Sequence, residues 1–157
     1  MAILLYRVDD RLVHGQVVIG WGKPLGIDFI VLVDDEVRAS AWEQEIYRMG
    51  VPPEIKLIFY SVAEAASRIP ELQASGGRGI LLTGDIATMT ALRSAGVAIP
   101  QVNLGGIHHR PGRTERLPYL YLSDDELRSL KELASSGLEI AAQDVPTRAP
   151  VRIGELS

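Results

Sequence analysis

Eleven residues near the start of the chain hold the side chains best suited to chemistry. Segment 7–17 reads RVDDRLVHGQV, so His14 stands within seven residues of two arginines and two aspartates. A neutral imidazole is a nucleophile near neutral pH, because the unperturbed pKa of histidine is about 6.5. Phosphoryl transfer requires mainly positioning and neutralisation of negative charge. The segment therefore indicates that His14 carries a phosphoryl group, against the alternative of an ordinary loop histidine.

The charged neighbours of His14 suggest roles in holding that group. Arg11 is the nearest candidate clamp, since a planar guanidinium binds two phosphate oxygens, and Arg7 is a second candidate. A carboxylate near phosphate is repulsive unless a cation lies between them. We favour a functional role for Asp10, in orienting the imidazole or Arg11, whereas Asp9 is equally well explained as a turn or cap residue.

Backbone groups after the histidine are the next candidates. A helix that begins just after His14 would direct its first N–H groups and the positive end of its dipole at a bound phosphate. The predicted phosphate-binding residues are Gly15, Gln16 and Val17. Gly15 has no Cβ, which permits a close approach.

The rest of the chain alternates strand and helix patterns. Apolar runs predict strands at 2–8, 29–33, 55–60, 79–83, 101–104, 119–122 and 138–142. Capping signals and breakers predict helices at 15–23, 36–49, 86–95 and 123–137, and one from 61 that ends near Pro70 or shortly beyond it. This order predicts a doubly wound α/β fold with a mainly parallel sheet, helices on both faces and the late strands as candidate antiparallel edge strands.

Two segments lack a clear pattern. Residues 105–118 are glycine-rich and basic and are expected to be irregular, as is the tail from Gln143. Ligands of open α/β sheets bind beyond the carboxyl ends of the strands, so later loops are expected to reach the histidine. The residues expected at the rim of the site are Asp35, Thr83, Gly106, His108 and His109.

Composition narrows the function classes. The 157 residues predict a single domain, 1–157, and the net charge of −4 argues against a nucleic-acid partner. The absence of cysteine excludes thiol catalysis and Cys-ligated zinc, and the His108–His109 pair lacks a third ligand, so we expect no metal and no cofactor. No apolar stretch is long enough to span a membrane and no leader pattern is visible, which predicts a cytoplasmic protein.

The segment closely resembles the R-[IV]-D-[DE]-R-L-[IV]-H-G-Q-V signature of IIB subunits of the mannose/fructose/sorbose family of the bacterial phosphotransferase system. Weaker matches follow in the right order along nearly the whole chain. They are Asp34-Asp35-Glu36 after the second strand, Val102-Asn103-Leu104-Gly105-Gly106, Ser123-Asp124-Asp125-Glu126 with its helix, and Gly137 with the last strand.

The resemblance implies a fold and a role. It implies a doubly wound α/β domain that accepts a phosphoryl group from a phosphohistidine of a IIA domain. The group then passes to a sugar held by membrane IIC and IID subunits, which would bring the chain to the inner face of the membrane. His14 matches the family's phosphorylated histidine and Arg11 the arginine beside it. A homo-oligomer is compatible with this role.

The chain departs from the family pattern at two loops. Ile107-His108-His109-Arg110 stand where small and apolar residues usually follow the double glycine, and Thr83-Gly84-Asp85 lacks the frequent Asn-Pro. His108 and His109 are interpreted as extra phosphate donors, as a weak metal site or, preferably, as solvated loop residues. Both departures bear on the choice of partner or substrate.

Three alternatives compete with a transport role. A regulatory phosphoprotein of the same family would have the same sequence features. A histidine-phosphatase-type enzyme requires an arginine directly before the histidine, where this chain has Val13. A nucleotide-binding module is disfavoured because Gly15, Gly20 and Gly22 do not fit G-x-G-x-x-G spacing.

Overall fold

A seven-stranded sheet forms the centre of the protein in a computed structural model that describes residues 2–156. In chain order the strands are β1 (Ile3–Val8), β2 (Phe29–Val33), β3 (Lys56–Tyr60), β4 (Gly79–Thr83), β5 (Gln101–Leu104), β6 (Thr114–Leu117), β7 (Leu120–Leu122), β8 (Glu139–Ala142) and β9 (Val151–Arg152). The order across the main sheet is β3-β2-β4-β1-β5-β8-β9, and β6 pairs with β7 in a separate hairpin.

Helical segments connect most of the strands. A π-helical segment, Gln16–Gly22, continues directly into α1. The α-helices are α1 (Lys23–Leu25), α2 (Asp35–Arg38), α3 (Ala41–Met49), α4 (Val62–Ala74), α5 (Ile86–Ser94) and α6 (Asp124–Ser135), and a 3-10 turn spans Ile153–Glu155. Capping boxes at Ser61 and Ser123 start α4 and α6, as the sequence predicts.

The sheet is parallel except at one edge. Strand β1 lies between β4 and β5, and β2, β3 and β8 run in the same direction, whereas β9 is antiparallel to β8. The carboxyl ends of β1, β4 and β5 therefore meet at one edge of the sheet. This arrangement confirms the predicted doubly wound α/β class.

Two apolar cores cover the two faces of the sheet. Side chains alternate along β2, so that Val31 and Val33 belong to the core under α4, α5 and α6. Ile30 and Leu32 belong to the other core, beneath the π-helical segment, α2 and α3. Full burial of each such side chain contributes about 1.5–3 kcal/mol, which holds the central strands and their carboxyl ends in place.

Several predicted elements differ in detail. The helix predicted at 36–49 is interrupted, because Ser40 has an extended backbone and caps α3 by accepting the N–H of Glu43. Segment 105–118 is not wholly irregular, since it contains β6. The tail contains β9, which forms the edge of the sheet by pairing with β8. A strand of two residues gives no recognisable pattern in the sequence. The last predicted strand, β8, is parallel, and the antiparallel edge lies one strand further on.

Candidate active site

The loop after β1 carries His14 at the carboxyl edge of the sheet. The N–H of Asp9 donates to the carbonyl of Thr83 at 2.9 Å, and the N–H of Leu12 donates to the carbonyl of Asp9 at 3.0 Å. Leu12 has a φ of +59°, which is unfavourable for a leucine. Its buried side chain packs against Gly84 and holds this turn. The strained turn brings His14 back beside Asp9.

The two ring nitrogens of His14 have different neighbours. Nδ1 accepts the N–H of Gln16 at 3.2 Å, at the start of the π-helical segment. Nε2 is buried and lies 3.3 Å from Oδ2 of Asp9. Within residues 2–156 no hydrogen-bond partner of Nε2 is found, so this contact is electrostatic. A lone pair on Nδ1 and a proton on Nε2 satisfy both neighbours, and the side chain remains 18% exposed.

Asp9 is the centre of the polar network. Its buried carboxylate accepts from Arg11 through Nε at 3.0 Å and Nη2 at 2.9 Å, and from Nη2 of Arg7 at 3.2 Å. Burial raises the pKa of Asp9, but His14 and the two arginines outweigh that effect and hold the pKa far below its usual range. Asp9 therefore occupies the orienting position for which the sequence favoured Asp10.

Arg7 is enclosed in the protein and does not face the site as a phosphate clamp. Its guanidinium has no exposed surface and stacks over the ring of Trp21 at 5.0 Å. Its acceptors other than Asp9 are Oδ1 of Asn103 and the carbonyl oxygens of Gln143 (2.8 Å) and Asp144 (3.1 Å). Burial lowers the pKa of Arg7, and the charge of Asp9 opposes that shift. Arg7 instead ties Asp9 to the segment that follows β8.

Arg11, the predicted phosphate clamp, contacts the same carboxylate as His14. Its side chain is 36% exposed, and Nε and Nη2 both bind Asp9. The hydrogen bonds to Asp9 raise the pKa of Arg11. The guanidinium is therefore fixed in one orientation while part of it still faces solvent.

The backbone amides after His14 divide into two groups. The N–H of Gln16 donates to Nδ1 of His14 at 3.2 Å. The N–H groups of Val17 and Val18 both donate to the carbonyl of His14 at 3.1 Å. Val17 is therefore not available as predicted. Gly15 borders open space, since a Cβ there would contact none of residues 2–156 within 4 Å.

The double glycine after β5 closes the site from the other side. The N–H of Gly105 donates to the carbonyl of Val8 at 2.7 Å. A Cβ at Gly105 would overlap the guanidinium of Arg7 and the carboxylate of Asp9, and one at Gly106 would lie 3.2 Å from Nε of Arg11. Glycine is thus needed for this loop to approach the buried charges.

Two of the predicted rim residues have structural partners elsewhere. Thr83 is buried and its hydroxyl donates to the carbonyl of Asp85 at 3.2 Å, so it does not form part of an accessible rim. Asp35 accepts the N–H of Val62 at 2.9 Å, which joins α2 to the start of α4, and it also lines a cavity together with Asp10 and Leu12 of the His14 loop.

His108 and His109 lie in the loop that departs from the family pattern, and their contacts differ. Nδ1 of His108 lies 2.7 Å from Oδ1 of Asp10, and its backbone N–H donates to Oδ2 of Asp10 at 2.7 Å. His109 makes a T-shaped contact with Tyr121, with ring centroids 5.7 Å apart. Asp10 therefore orients an imidazole, but that of His108 and not that of His14.

The sequence did not reveal the groups that hold Arg7 against Asp9. Asn103, Trp21 and the carbonyl of Asp144 all hold Arg7, and the indole N–H of Trp21 also donates to that carbonyl at 3.0 Å. One signal was available, because alternate residues of a strand face the same side. Arg7 and Asp9 are two residues apart, so their side chains face the same side of the chain and that of Asp10 faces the other.

Comparisons with known proteins identify the family. The sequence matches the family model of the phosphotransferase system (PTS) sorbose subfamily IIB component over residues 3–156. The chain belongs to that family and thereby to the phosphotransferase class. Within residues 2–156, none of the helices has the length and apolar character needed to cross a bilayer.

Individual relatives support the same class. The chain is 30% identical to the PTS system mannose-specific EIIAB component of Escherichia coli K12 over 99% of its own length and 48% of the relative's. It thus spans about half the length of that relative. It is also 30% identical to the N-acetylgalactosamine-specific phosphotransferase enzyme IIB component 1 of the same organism, covering 92% of this chain and 91% of the relative.

Solved structures share the fold. The crystal structure of manxB from Thermoanaerobacter tengcongensis matches with a TM-score of 0.89 and 29% identity, over 98% of this chain and 93% of that one. The IIBSor domain of the sorbose permease from Klebsiella pneumoniae matches with a TM-score of 0.88 and 27% identity, over 98% and 94%.

Proposed function

We propose that His14 accepts a phosphoryl group on Nδ1 from the phosphohistidine of a IIA domain and delivers it to a hydroxyl of a sugar. The observation that carries this proposal is the difference between the surroundings of the two ring nitrogens of His14. Nε2 is buried against Asp9, whereas Nδ1 faces the N–H of Gln16 at the start of a helical segment. Because Nε2 is enclosed, we assign the attack on the incoming phosphorus atom to Nδ1.

The loading step moves no proton and therefore needs no proton acceptor. The lone pair of Nδ1 forms the new N–P bond, and the pair of the breaking N–P bond returns to the donor's nitrogen. The proton on Nε2 stays in place, so His14 becomes an imidazolium whose charge Asp9 neutralises. The depressed pKa of Asp9 keeps that carboxylate ionised. When the phosphoryl group leaves, a neutral imidazole remains.

Arg11 and the backbone supply the charge that the phosphoryl oxygens need. Asp9 holds Arg11 in a fixed orientation, and the guanidinium still reaches solvent. Arginines that neutralise phosphoryl transition states accelerate transfer by about 10³–10⁵-fold. The partial exposure of His14 suits a carrier, which must release its phosphoryl group to a second partner.

The partners follow from the family. A IIA domain is the proposed donor, and sugar-binding membrane subunits of the IIC and IID type are the proposed acceptors. The chain would then work in the cytoplasm, at the inner face of the membrane. The names of its relatives mention mannose, N-acetylgalactosamine, fructose and sorbose, so a hexose or hexose derivative is the proposed substrate class.

The test is transfer of labelled phosphate from a phosphorylated mannose-type IIA domain. The wild-type chain should acquire acid-labile label, and His14→Ala should acquire none. His109→Ala, which removes an imidazole that packs on Tyr121, is the matched control and should label normally. Undiminished label on His14→Ala would refute the proposal.

A further inference from the structure

We propose that His108, held by Asp10, is the base that takes the proton from the hydroxyl group to which His14 delivers its phosphoryl group. This inference rests on the proposed function and adds to it a residue for the second half-reaction. Its basis is the second aspartate–histidine pair of the site, formed by residues that the loading step does not use.

The pair is held on two sides. Asp10 binds both the ring and the backbone N–H of His108 at 2.7 Å, and its own N–H donates to the carbonyl of Gly106 at 2.9 Å. Nη1 of Arg113 donates to the carbonyl of His108 at 3.0 Å. The main chain before the imidazole is therefore fixed to the loop that carries His14, although the ring itself is 70% exposed.

Asp10 also selects the tautomer. A carboxylate at Nδ1 favours the proton on that nitrogen, which leaves the lone pair on Nε2, on the other side of the ring. An acid group orients the base histidine of hydrolytic triads in the same way. The consecutive residues Asp9 and Asp10 thus set opposite tautomers, so that His14 presents Nδ1 and His108 presents Nε2.

His108 lines a cavity next to the loop that carries His14. This cavity of about 290 Å³ is lined by His108, Arg11, Gln16, Gly106 and two tyrosines, among other residues. Gln16 is the residue whose N–H contacts Nδ1 of His14. Since a water molecule accounts for about 30 Å³ of liquid, the cavity has room for a phosphoryl group and the hydroxyl end of an acceptor.

The chemistry gives the second half-reaction a need that the first lacks. Transfer between nitrogens moves no proton, but transfer to a hydroxyl leaves one to be removed. The hydroxyl oxygen forms the new O–P bond, the N–P electron pair returns to Nδ1 of His14, and the hydroxyl proton goes to Nε2 of His108. A positioned base typically contributes about 10²–10⁴-fold to such a step.

The test compares two small acceptors with and without the base. Wild-type protein, His108→Gln and His109→Gln are loaded by a phosphorylated IIA domain and separated from it. Each is then mixed with excess glycerol or excess imidazole, and the phosphorylated acceptor is quantified. Glycerol must lose a proton on transfer, whereas neutral imidazole attacks through a lone pair.

The expected result is a selective defect. His108→Gln should load normally and transfer to imidazole normally, while its transfer to glycerol falls by about 10²-fold. Asp10→Asn should show the same selective loss to a smaller extent, because the imidazole remains but its tautomer is no longer fixed. His109→Gln should match the wild type for both acceptors, since His109 lies outside the set of residues that line the cavity.

Other outcomes separate this inference from the proposed function. Equal loss toward glycerol and imidazole would show a structural role for His108 and overturn the inference, as would unchanged glycerol transfer. A wild-type protein that phosphorylates imidazole but not glycerol would overturn it as well. Failure of the wild type to carry label on His14 would instead overturn the proposed function itself.

Discussion

Replacement of Asp9 by asparagine tests the network that positions His14. Asp9 is fully buried and contacts Arg7, Arg11 and His14. Asparagine retains one accepting oxygen but no charge, so the buried guanidinium of Arg7 loses its counter-ion. Removal of one partner from a buried ion pair costs about 3–5 kcal/mol. For a chain of this size, such a loss lowers the melting temperature by about 6–20 °C.

The stabilisation of the fold by Asp9 depends on pH in a direction that follows from its lowered pKa. The pKa of Asp9 is lower in the folded protein than its ordinary value of about 3.9. Its ionised form therefore stabilises the fold at all pH values above the ordinary pKa, and that contribution is lost as the pH falls towards the folded pKa. The difference between wild type and Asp9→Asn should be complete at pH 7 and should narrow below about pH 4.

The assay is urea unfolding followed by tryptophan fluorescence, which reports on Trp21 beside Arg7. Asp10→Asn is the matched control, because Asp10 is 18% exposed and pairs with an imidazole that is mostly in solvent, so its loss should cost about 1 kcal/mol or less. A loss of unfolding free energy below about 1 kcal/mol for Asp9→Asn would refute the assignment of Asp9 as the buried carboxylate that binds both arginines. A difference from wild type that widens in acid would refute it as well.

Two further substitutions probe the residues around Asp9. Arg11→Gln should slow loading from a phosphorylated IIA domain by about 10³-fold without loss of the nucleophile, as measured by the initial rate of label incorporation; a rate near that of wild type would remove Arg11 from the transfer step. Gly105→Ala should reduce the free energy of unfolding by about 1–3 kcal/mol, since its Cβ would overlap Arg7 and Asp9. The control is Gly15→Ala, which adds a Cβ in open space and should lower the free energy of unfolding in urea by less. Gly112→Ala is unsuitable as a control because Gly112 has a positive φ.

The sequence predicts the fold class because its strands and helices have strong local signals. Strand β2 is a continuous apolar run, and capping residues start α4, α5 and α6. Short elements lack such signals. Strand β9 consists of two residues that exist as a strand only by pairing with β8, and the break at Ser40 depends on a cap inside a continuous helical pattern.

The site could be predicted only in part, for a similar reason. The placement of His14 and Arg11 follows from their loop, and the signature of the family strengthens it. The roles of Asp9 and Asp10 depend on which of two adjacent carboxylates faces inward, and residues far along the chain decide that. Asn103 and the carbonyl of Asp144 bind Arg7 on the inner side, and His108 meets Asp10 on the outer side.

The most direct test of the account is to identify the phosphorylated nitrogen. Protein with ¹⁵N-labelled histidine is loaded by a phosphorylated IIA domain, and nitrogen and phosphorus NMR spectra assign the N–P bond to a residue and a ring atom. We expect a single phosphohistidine at Nδ1 of His14, with the proton retained on Nε2 beside Asp9. A phosphoryl group on Nε2 of His14, or on another residue, would contradict it.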